Sequence, residues 1–435
     1  MPGVTGTAFV IATAAKALLF FTLAMLCVML ATIVERKIAG FIQDRSGPNR
    51  VGPWGILQVI ADGVKNIIKE ETMPAEAVRP FFLLAPALAI IPATILFAII
   101  PFASPLPTSW GLVEMIVADV PIGFLYVLAI ASLGVYGVAM GGWASGSKYS
   151  LLGGLRGSAQ MISYEVALAL SLVPLILLAG DLRVPEIVSM QQTFATGPPT
   201  YAVWFVAPLF VGAFLFFVSG LAETNRLPFD LPEAEAELIT GYHTEYSAMK
   251  FSMFMIGEFA HVITTGALVT VFFLGGWDIP FWSGDNIRVL ADGTVIGDPT
   301  WWKTILTLGM FSLKTGLVVA VFMWIRWTLP RFRYDQLMDL GWKFMLEAVT
   351  VYILVIAGAI LVIESAGMEV GPLYALILTA VNLALAALLF FVMDRGTIIK
   401  GAAHGARYQA RIGSRETATP AVPLEEGREA RQHAR

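Results

Sequence analysis

The chain has 435 residues, of which 57% are hydrophobic and only 14% are charged, and its mean hydropathy is +0.74. This composition indicates a membrane protein that crosses the bilayer many times, and it argues against a soluble domain and against a nucleic-acid partner. The formal net charge of −4 is uninformative by itself, but the distribution of the charges along the chain is not.

Nine apolar stretches follow one another, and each has about the 20 residues that a helix needs to cross a bilayer. They lie near residues 8–34, 82–102, 118–141, 159–179, 202–221, 252–275, 304–327, 345–365 and 372–393. We therefore predict an all-α polytopic membrane domain over residues 1–394, in which helices two to six form a five-helix unit like those of transporters. The polar remainder, residues 395–435, carries both charge signs and is expected to be a disordered cytoplasmic tail.

Basic residues are concentrated in every second connection. The predicted cytoplasmic loops, near residues 35–81, 143–158, 222–252 and 326–344, hold with the tail 23 of the 28 Lys and Arg residues. The alternate loops hold only Arg183, Arg288 and Lys303. The positive-inside rule then places the N-terminus outside and the C-terminus in the cytoplasm.

The first loop carries an amphipathic pattern. It opens with Glu35, Arg36 and Lys37, and after a turn rich in Pro and Gly its apolar residues recur at helical spacing from Ile56 to Lys69. This stretch is too short and too charged to span, so we expect a helix along the membrane surface. An ordinary helix packed on the loops is the alternative.

The third loop, 222–252, holds six acids between Glu223 and Glu245, which is unusual in so apolar a chain. Charge at a membrane boundary is costly unless it faces water, a partner or a proton path. A helix-capping role for Asp230 and Glu233, which are spaced as in a capping box, is the alternative. Capping accounts for two or three of the acids and leaves the others unexplained.

Several ionisable residues fall within the predicted spans. Glu165 lies about one and a half turns into its helix, and Glu258 and His261 are three residues apart, on one helical face. Such a protonatable pair suits a proton relay, while a hydrogen-bonded structural pair is the alternative. Glu114, Asp119, Glu347 and Glu364 lie near span ends, which is typical of side chains at the membrane interface.

Redox cofactors are not expected in this chain. Cys27 is the single cysteine, so the chain alone cannot ligate an iron–sulfur cluster, and His261 is the single histidine within a predicted span, which excludes a bis-histidine haem. The sequence contains no glycine-rich phosphate-binding loop. No metal site is predicted.

Five strings carry a resemblance to a known family: Glu35-Arg36-Lys37, Gly47-Pro48-Asn49-Arg50-Val51-Gly52-Pro53, Ala222-Glu223-Thr224-Asn225-Arg226, Pro228-Phe229-Asp230-Leu231 and Pro330-Arg331-Phe332-Arg333-Tyr334-Asp335-Gln336. Over roughly residues 10–395 the chain resembles the H-type membrane component of bacterial NADH:quinone oxidoreductase, respiratory complex I. The resemblance implies a cofactor-free membrane subunit where the redox arm meets the membrane arm, with FMN and iron–sulfur clusters in partner subunits and quinone as the substrate.

The resemblance also implies roles for individual residues. The quinone tunnel would be lined or shaped by Glu35, Arg36, Arg45, Asp62, Lys65, Glu70, Arg226 and Asp230. The proton path would use Glu165, Glu223, Glu233, Glu235, Glu237, Glu245 and Glu258. Its partners would be the quinone-site subunits of the redox arm and the small subunits of the membrane arm. No residue is expected to act as a covalent catalyst.

Two other functions fit the same ingredients. A related membrane subunit of an energy-converting hydrogenase, or of another ferredoxin-linked complex, would share the fold but reduce no quinone. A stand-alone cation/proton antiporter would use the buried acids as its ion site. The long charged loops favour a subunit with partners over the antiporter.

Overall fold

A computed structural model of the chain describes residues 6–109, 111–192, 203–285, 287–289 and 295–394. The chain divides into two compact units, Met1–Leu388 and Leu389–Arg435. Of the second unit, the structure describes only the helix end at 389–394, so the predicted tail at 395–435 lies outside the described residues.

The described residues form helices, turns and two small antiparallel strand pairs. The first eight helices are α1 (Thr7–Ile42), α2 (Gln58–Ile68), α3 (Arg79–Ile95), α4 (Gly123–Ala144), α5 (Lys148–Ser171), α6 (Val173–Ala179), α7 (Val184–Met190) and α8 (Phe210–Glu223). The others are α9 (Glu235–Leu238), α10 (Ala248–Phe273), α11 (Trp301–Thr328), α12 (Tyr334–Asp339), α13 (Leu346–Ser365) and α14 (Pro372–Asp394). A π-helical stretch, Leu340–Met345, joins α12 to α13, and single 3₁₀ turns lie at Pro53–Gly55, Leu96–Ile99 and Gly241–His243.

Eight helical segments in the described part of the chain are long and apolar enough to cross a membrane. They confirm the prediction of an all-α polytopic membrane protein. The predicted fifth span, 202–221, is different, because the helix there begins only at Phe210 and has 14 residues. Pro208 lies two residues before this start, and proline disfavours helical backbone in the residue that precedes it, so the helix does not continue towards Ala207.

Predicted helices two to six pack as one group. In order, α3 packs on α4, α4 on α5 and α5 on α8, and α10 closes the group by packing on both α8 and α3. The five-helix grouping therefore follows from the contacts. Close approach is possible at small residues; a Cβ on Gly137 of α4 would lie 2.7 Å from the backbone of Ala89 on α3.

Helix α2 confirms the amphipathic pattern of the first loop. It has no buried residue, and the apolar side chains of Ile60, Ile67 and Ile68 are 62%, 68% and 78% exposed. A helix with its apolar face uncovered and a charged face opposite is suited to the membrane surface.

A hairpin that the sequence did not predict lies between α3 and α4. Strands β1 (Ala103–Thr108) and β2 (Gly111–Met115) pair antiparallel with Leu106 opposite Val113. The hairpin is fixed to α11, because the Thr304 hydroxyl donates to the Pro105 carbonyl at 3.0 Å. Strands β3 (Arg288–Val289) and β4 (Val295–Ile296) also pair antiparallel, with Arg288 opposite Ile296.

Lys314 on α11 caps the C-terminus of α10. Its ammonium donates to the carbonyls of Leu274, Gly276 and Asp278 at 2.6, 3.1 and 2.6 Å, and it lies 4.0 Å from the Trp204 ring centroid. Carbonyls at a helix end lack intrahelical donors and carry partial negative charge, so they stabilise a buried cation. Lys314 therefore has a structural role at the C-terminal end of α10, the end opposite the acidic loop.

Candidate functional site

Arg226 is the centre of a buried ion network. It follows α8 by three residues and is 5% exposed. Its Nη1 donates to Glu35 of α1 at 2.6 Å, its Nε pairs with Glu258 of α10, and its guanidinium lies 4.3 Å from the Phe259 ring centroid. Arg326, near the end of α11, donates to the second carboxylate oxygen of Glu35.

This network balances two arginines against two glutamates. The planar guanidinium of Arg226 presents several donors in a fixed fork, so one side chain reaches carboxylates on two different helices. The charges of Glu258 and Glu35 raise the pKa of Arg226, although burial alone would lower it. Burying such charges is expensive, and removing one partner leaves the other uncompensated. The network therefore fixes α1, α10 and α11 relative to the loop after α8.

A cavity of about 440 Å³ opens beside the network, between α1, α2 and α10. Its charged lining residues are Glu35, Arg36, Asp62, Arg226, Glu233, Glu258 and Arg326. Its apolar lining includes Val28, Met29, Ile67, Met255, Ile256 and Phe259. Six of the seven charged residues were predicted site residues; Arg326 was not.

One side of the cavity is formed by the surface helix. Arg36 of α1 donates to Asp62 of α2 at 2.6 Å, and Gln58 donates to the other oxygen of Asp62 at 3.0 Å. The Arg36 side chain is 52% exposed, so this pair contributes little to stability. The pair places Arg36 and Asp62 side by side in the lining of the cavity.

The acidic loop folds back on itself beside Arg226. Glu233 lies 3.0 Å from Nε2 of His243, and the Tyr242 amide donates to the Pro232 carbonyl at 3.3 Å. Gly241 has φ +64°, and a Cβ there would lie 1.7 Å from the Pro232 carbonyl oxygen. Glycine is therefore required for the loop to close.

The predicted capping alternative for this loop is wrong. Helix α9 has four residues, begins after Ala234 and has no side-chain cap. Asp230 instead accepts a hydrogen bond from Arg331 at 2.7 Å, and Glu233 is engaged by His243. Both carboxylates are thus committed to charged or protonatable partners and not to a helix N-terminus.

The loop acids differ in proton affinity. Burial raises the pKa of Asp230 to about 7, and the charge of Glu233 adds to this shift, while Arg331 and Arg326 oppose it. Burial acts in the same direction on Glu233, but its contact with His243 and the charges of Arg326 and Arg226 outweigh burial and lower its pKa. Asp230 can therefore exchange a proton near neutral pH, while Glu233 stays ionised.

A second, small cavity of about 50 Å³ lies on the far side of Glu258. Glu223, the last residue of α8, lines it together with Glu258 and His261. Nε2 of His261 lies 3.3 Å from Oε1 of Glu223. Glu258 and His261 share a helical face as predicted, but each has its charged partner elsewhere: Glu258 pairs with Arg226, and His261 faces Glu223.

Glu258 lines both cavities. It is therefore the residue that connects the large, mostly apolar cavity with the small one that holds Glu223. Glu165 of α5 is half-buried and close enough to Glu223 for their charges to repel. The carboxylates of Glu258, Glu223 and Glu165 thus follow one another from the large cavity towards α5.

Other predicted site residues lie at the surface. Arg45 donates to the Gln43 side chain at 2.6 Å and is exposed, as are Lys65 and Glu70. In the part of the chain that the structure describes, none of these three residues lines the large cavity.

The remaining loop acids are also outside the buried network. Glu237 is 51% exposed and accepts a hydrogen bond from Arg156 at 2.5 Å, and Glu245 is half-buried. The side chain of Glu235 lies outside the described part of the chain. Grouped metal ligands, meaning three or more His, Cys, Asp or Glu side chains, do not occur among the described residues.

Sequence reasoning predicted Arg226 but missed the pairing of these acids with Arg326 and Arg331. Arg326 and Glu35 are 291 positions apart, and Arg331 and Asp230 are 101 apart, so no local pattern pairs them. His243, within the acidic loop, carried a usable signal: a protonatable side chain among acids that need a donor.

The comparisons with known proteins agree on one family. The family model described as NADH dehydrogenase matches residues 15–357. Three H-type components of NADH-quinone oxidoreductase are similar to this chain. That of Cytophaga hutchinsonii is 44% identical over 341 residues, 78% of this chain and 94% of the relative. That of Geobacter sulfurreducens is 46% identical over 339 residues, which are 78% of this chain and 93% of the relative. That of Magnetococcus marinus is 45% identical over 342 residues, which are 79% of this chain and 89% of the relative. Helix α14 starts at Pro372, beyond the last residue matched by the family model.

Proposed function

The chain belongs to the NADH dehydrogenase family, and on this premise we propose that it is the membrane subunit of an NADH-quinone oxidoreductase that binds quinone and begins the proton path. The relatives carry the name of this enzyme and not of a hydrogenase or an antiporter. That difference favours the first of the three functions considered from sequence.

The large cavity is the observation that carries the proposal. A quinone has an apolar tail and a polar head whose two carbonyl oxygens accept hydrogen bonds. Aliphatic residues such as Val28 and Ile256 suit the tail, and Arg226 and Arg326 supply donors and positive charge for the head. A volume of about 440 Å³ falls in the range of small-molecule sites.

Quinone would reach this cavity sideways from the membrane. Helix α2 lines the cavity through Val59, Asp62 and Ile67 and leaves its other apolar side chains exposed. A helix lying in the interface places this opening at the level of the lipid headgroups. We propose that Arg36 and Asp62 shape the mouth, with Arg45, Lys65 and Glu70 on the surface beside it.

Coupling to proton movement would rest on charge. Reduction of quinone to quinol takes two electrons and two protons, so negative charge develops at the head before protonation is complete. Two unit charges about 4 Å apart interact by roughly 4 kcal/mol at an effective dielectric constant of about 20. That energy equals about three pKa units, enough to change the protonation of a neighbouring carboxylate.

Glu258 borders both cavities, so negative charge on the quinone head would change its protonation, and Glu258 could then exchange a proton with the small cavity. Arg226 and Asp230 would belong to the quinone side of this coupling. We propose a proton path through the other predicted acids: Glu165, Glu223, Glu233, Glu235, Glu237, Glu245 and Glu258. Those at the surface, such as Glu237, would face partner subunits or bulk water.

The electrons would come from partner subunits. The lone Cys27 cannot ligate a cluster by itself, so FMN and iron–sulfur clusters are proposed for the redox arm that docks on the loops. The distribution of Lys and Arg supports a bacterial inner membrane orientation with these loops in the cytoplasm and the N-terminus in the periplasm.

A glycine on α2 allows a direct test. Gly63 lines the large cavity, and an added Cβ there meets nothing within 4 Å, so Gly63→Leu places a side chain in the cavity without a backbone clash. We expect assembled enzyme with this change to lose most NADH:quinone activity and to keep NADH oxidation by a soluble artificial acceptor.

Gly309 of α11 supplies the matched control. It also lies in a helix with open space around its Cβ position, and it lines none of the cavities described above, so Gly309→Leu should leave both activities intact. Normal quinone reduction in assembled Gly63→Leu enzyme would refute the assignment of the cavity. If the Gly63→Leu enzyme does not assemble, this position supports assembly instead.

A further inference from the structure

His261 is a buried protonatable residue to which the proposed function gives no role. It lies on α10, one helical turn beyond Glu258, and its side chain is 14% exposed. Residues three apart on a helix share a face, so His261 and Glu258 both reach the small cavity.

The small cavity separates two carboxylates that the proton path has to connect. Glu258 is held by Arg226 on the side of the large cavity, and Glu223 lies at the end of α8. His261 has access to both: its Nε2 is 3.3 Å from Oε1 of Glu223, and it lines the same cavity as Glu258. A cavity of about 50 Å³ also has room for water, since one water needs about 10–15 Å³ of such space.

The other walls of this cavity leave few competitors. Helices α3 and α4 contribute Ala89, Pro92, Ala93, Ala131, Gly134 and Val138, none of which can carry a proton. The loop contributes Thr224, Asn225 and Tyr242, and burial raises the pKa of Tyr242 well above its ordinary value, so this phenol stays protonated. The charged groups facing His261 are therefore Glu223 and Glu258, with Arg226 behind Glu258 and Glu165 behind Glu223.

We propose that His261 carries the proton between Glu258 and Glu223, an inference that rests on the proposed function. Imidazole has two ring nitrogens and changes charge near neutral pH, so it accepts a proton on one nitrogen and releases one from the other. In this step the Glu258 carboxyl gives up a proton through water to the ring, and the ring gives a proton to the Glu223 carboxylate. One proton moves, Glu258 becomes ionised, Glu223 becomes neutral, and His261 ends in its starting charge state.

The test uses assembled enzyme in sealed vesicles, with proton uptake and NADH oxidation measured together. In His261→Gln we expect proton uptake per NADH to fall about tenfold. Removal of a positioned general acid or base typically costs roughly 100-fold or more. The expected loss is smaller because water in the small cavity can still transfer protons. His261→Ala should show the same defect and regain part of its proton uptake when imidazole is added. The pH profile of proton uptake should change in both variants.

Two comparisons separate this relay from structural damage and from failure of the proposed function. Thr265→Val changes a buried residue one turn further along α10 and should leave proton uptake normal. Glu223→Gln and Glu258→Gln should each abolish uptake; if they do and the His261 variants pump normally, the relay assignment is wrong but the path survives. If neither Glu variant affects pumping, the proposed function itself fails. If His261→Gln does not assemble, the test is the proton uptake of His261→Ala with added imidazole. Absence of any rescue by imidazole would then overturn the inference.

Discussion

Arg331 opposes the rise in the pKa of Asp230 that burial causes, and the size of this effect can be measured. The guanidinium of Arg331 lies 2.7 Å from the Asp230 carboxylate and opposes the burial that raises the pKa of Asp230 to about 7. Arg331→Gln removes the positive charge and keeps a polar N–H donor on the side chain. The pKa of Asp230 should therefore rise further.

The expected shift is about one pKa unit, or about 1.4 kcal/mol. A close charge pair at an effective dielectric constant of about 20 is worth roughly 4 kcal/mol, but the Arg331 side chain is 29% exposed and solvent screens much of this interaction. The sign follows from linkage. Because the folded-state pKa of Asp230 lies above its ordinary value, stability falls as pH rises towards about 7 and is flat above it. In Arg331→Gln the fall should continue to about one unit higher pH.

The assay is the quinone reductase rate of assembled enzyme across the neutral range, with Asp230→Asn as the reference that cannot titrate. The quinone reductase rate of each Asp230-containing enzyme is compared with that of its Asp230→Asn counterpart at each pH. With Arg331 present, this rate difference plotted against pH should have its midpoint near pH 7. In the Arg331→Gln background, this midpoint should lie about one unit higher. The variant should also be less stable than the parent at alkaline pH and equally stable at acid pH, where Asp230 is neutral in both. An unchanged midpoint, or a stability difference independent of pH, would refute the reasoning.

Two further predictions concern packing. Replacing Arg226 with Met leaves Glu35 and Glu258 buried without their shared cation, which should cost about 3–5 kcal/mol of stability and reduce the amount of assembled enzyme on native electrophoresis. Arg226→Lys should be intermediate, because one ammonium cannot span both carboxylates. Normal assembly of the Met variant would contradict this prediction. Asn382 of α14 donates to the Pro208 carbonyl at 2.5 Å and accepts from the Val211 amide at 3.3 Å, so Asn382→Leu should lower thermal stability by about 1–3 kcal/mol while quinone reduction per assembled enzyme stays normal. Equal melting temperatures of Asn382→Leu and parent enzyme would show that this contact is dispensable.

The sequence allowed the membrane architecture to be predicted because bilayer crossing depends on local composition. Stretches such as Gly123–Ala144 are apolar throughout, and the position of α2 followed from the spacing of Ile60, Val64 and Ile67. The fifth span was misjudged because its start depends on Pro208 and on Asn382, which lies 171 residues beyond the backbone amide it meets. Hydropathy alone cannot register a contact at that separation.

The acids of the site and Arg226 were predictable, but the pairing of the acids with Arg326 and Arg331 was not. Six acids within one loop are conspicuous in an apolar chain, whereas Arg326 and Arg331 look like ordinary basic residues at the end of a span. In the structure each of these arginines forms an ion pair with an acid from a distant segment: Arg326 with Glu35, and Arg331 with Asp230. The capping hypothesis failed for the same reason: local spacing suited it, and long-range charge pairing outweighed it.

The short helix α8 explains how so many charges come to lie among membrane helices. Fourteen helical residues extend about 21 Å, well short of a hydrocarbon core of about 30 Å. Such a helix cannot cross the core by itself, and irregular backbone beside membrane helices is tolerated only if it is buried in protein or lines a cavity. Gln160 of α5 meets this requirement by donating to the carbonyls of Ala222 and Phe229 at 2.7 and 2.6 Å. With these two carbonyls satisfied, Arg226 can neutralise Glu35 and Glu258 in the protein interior.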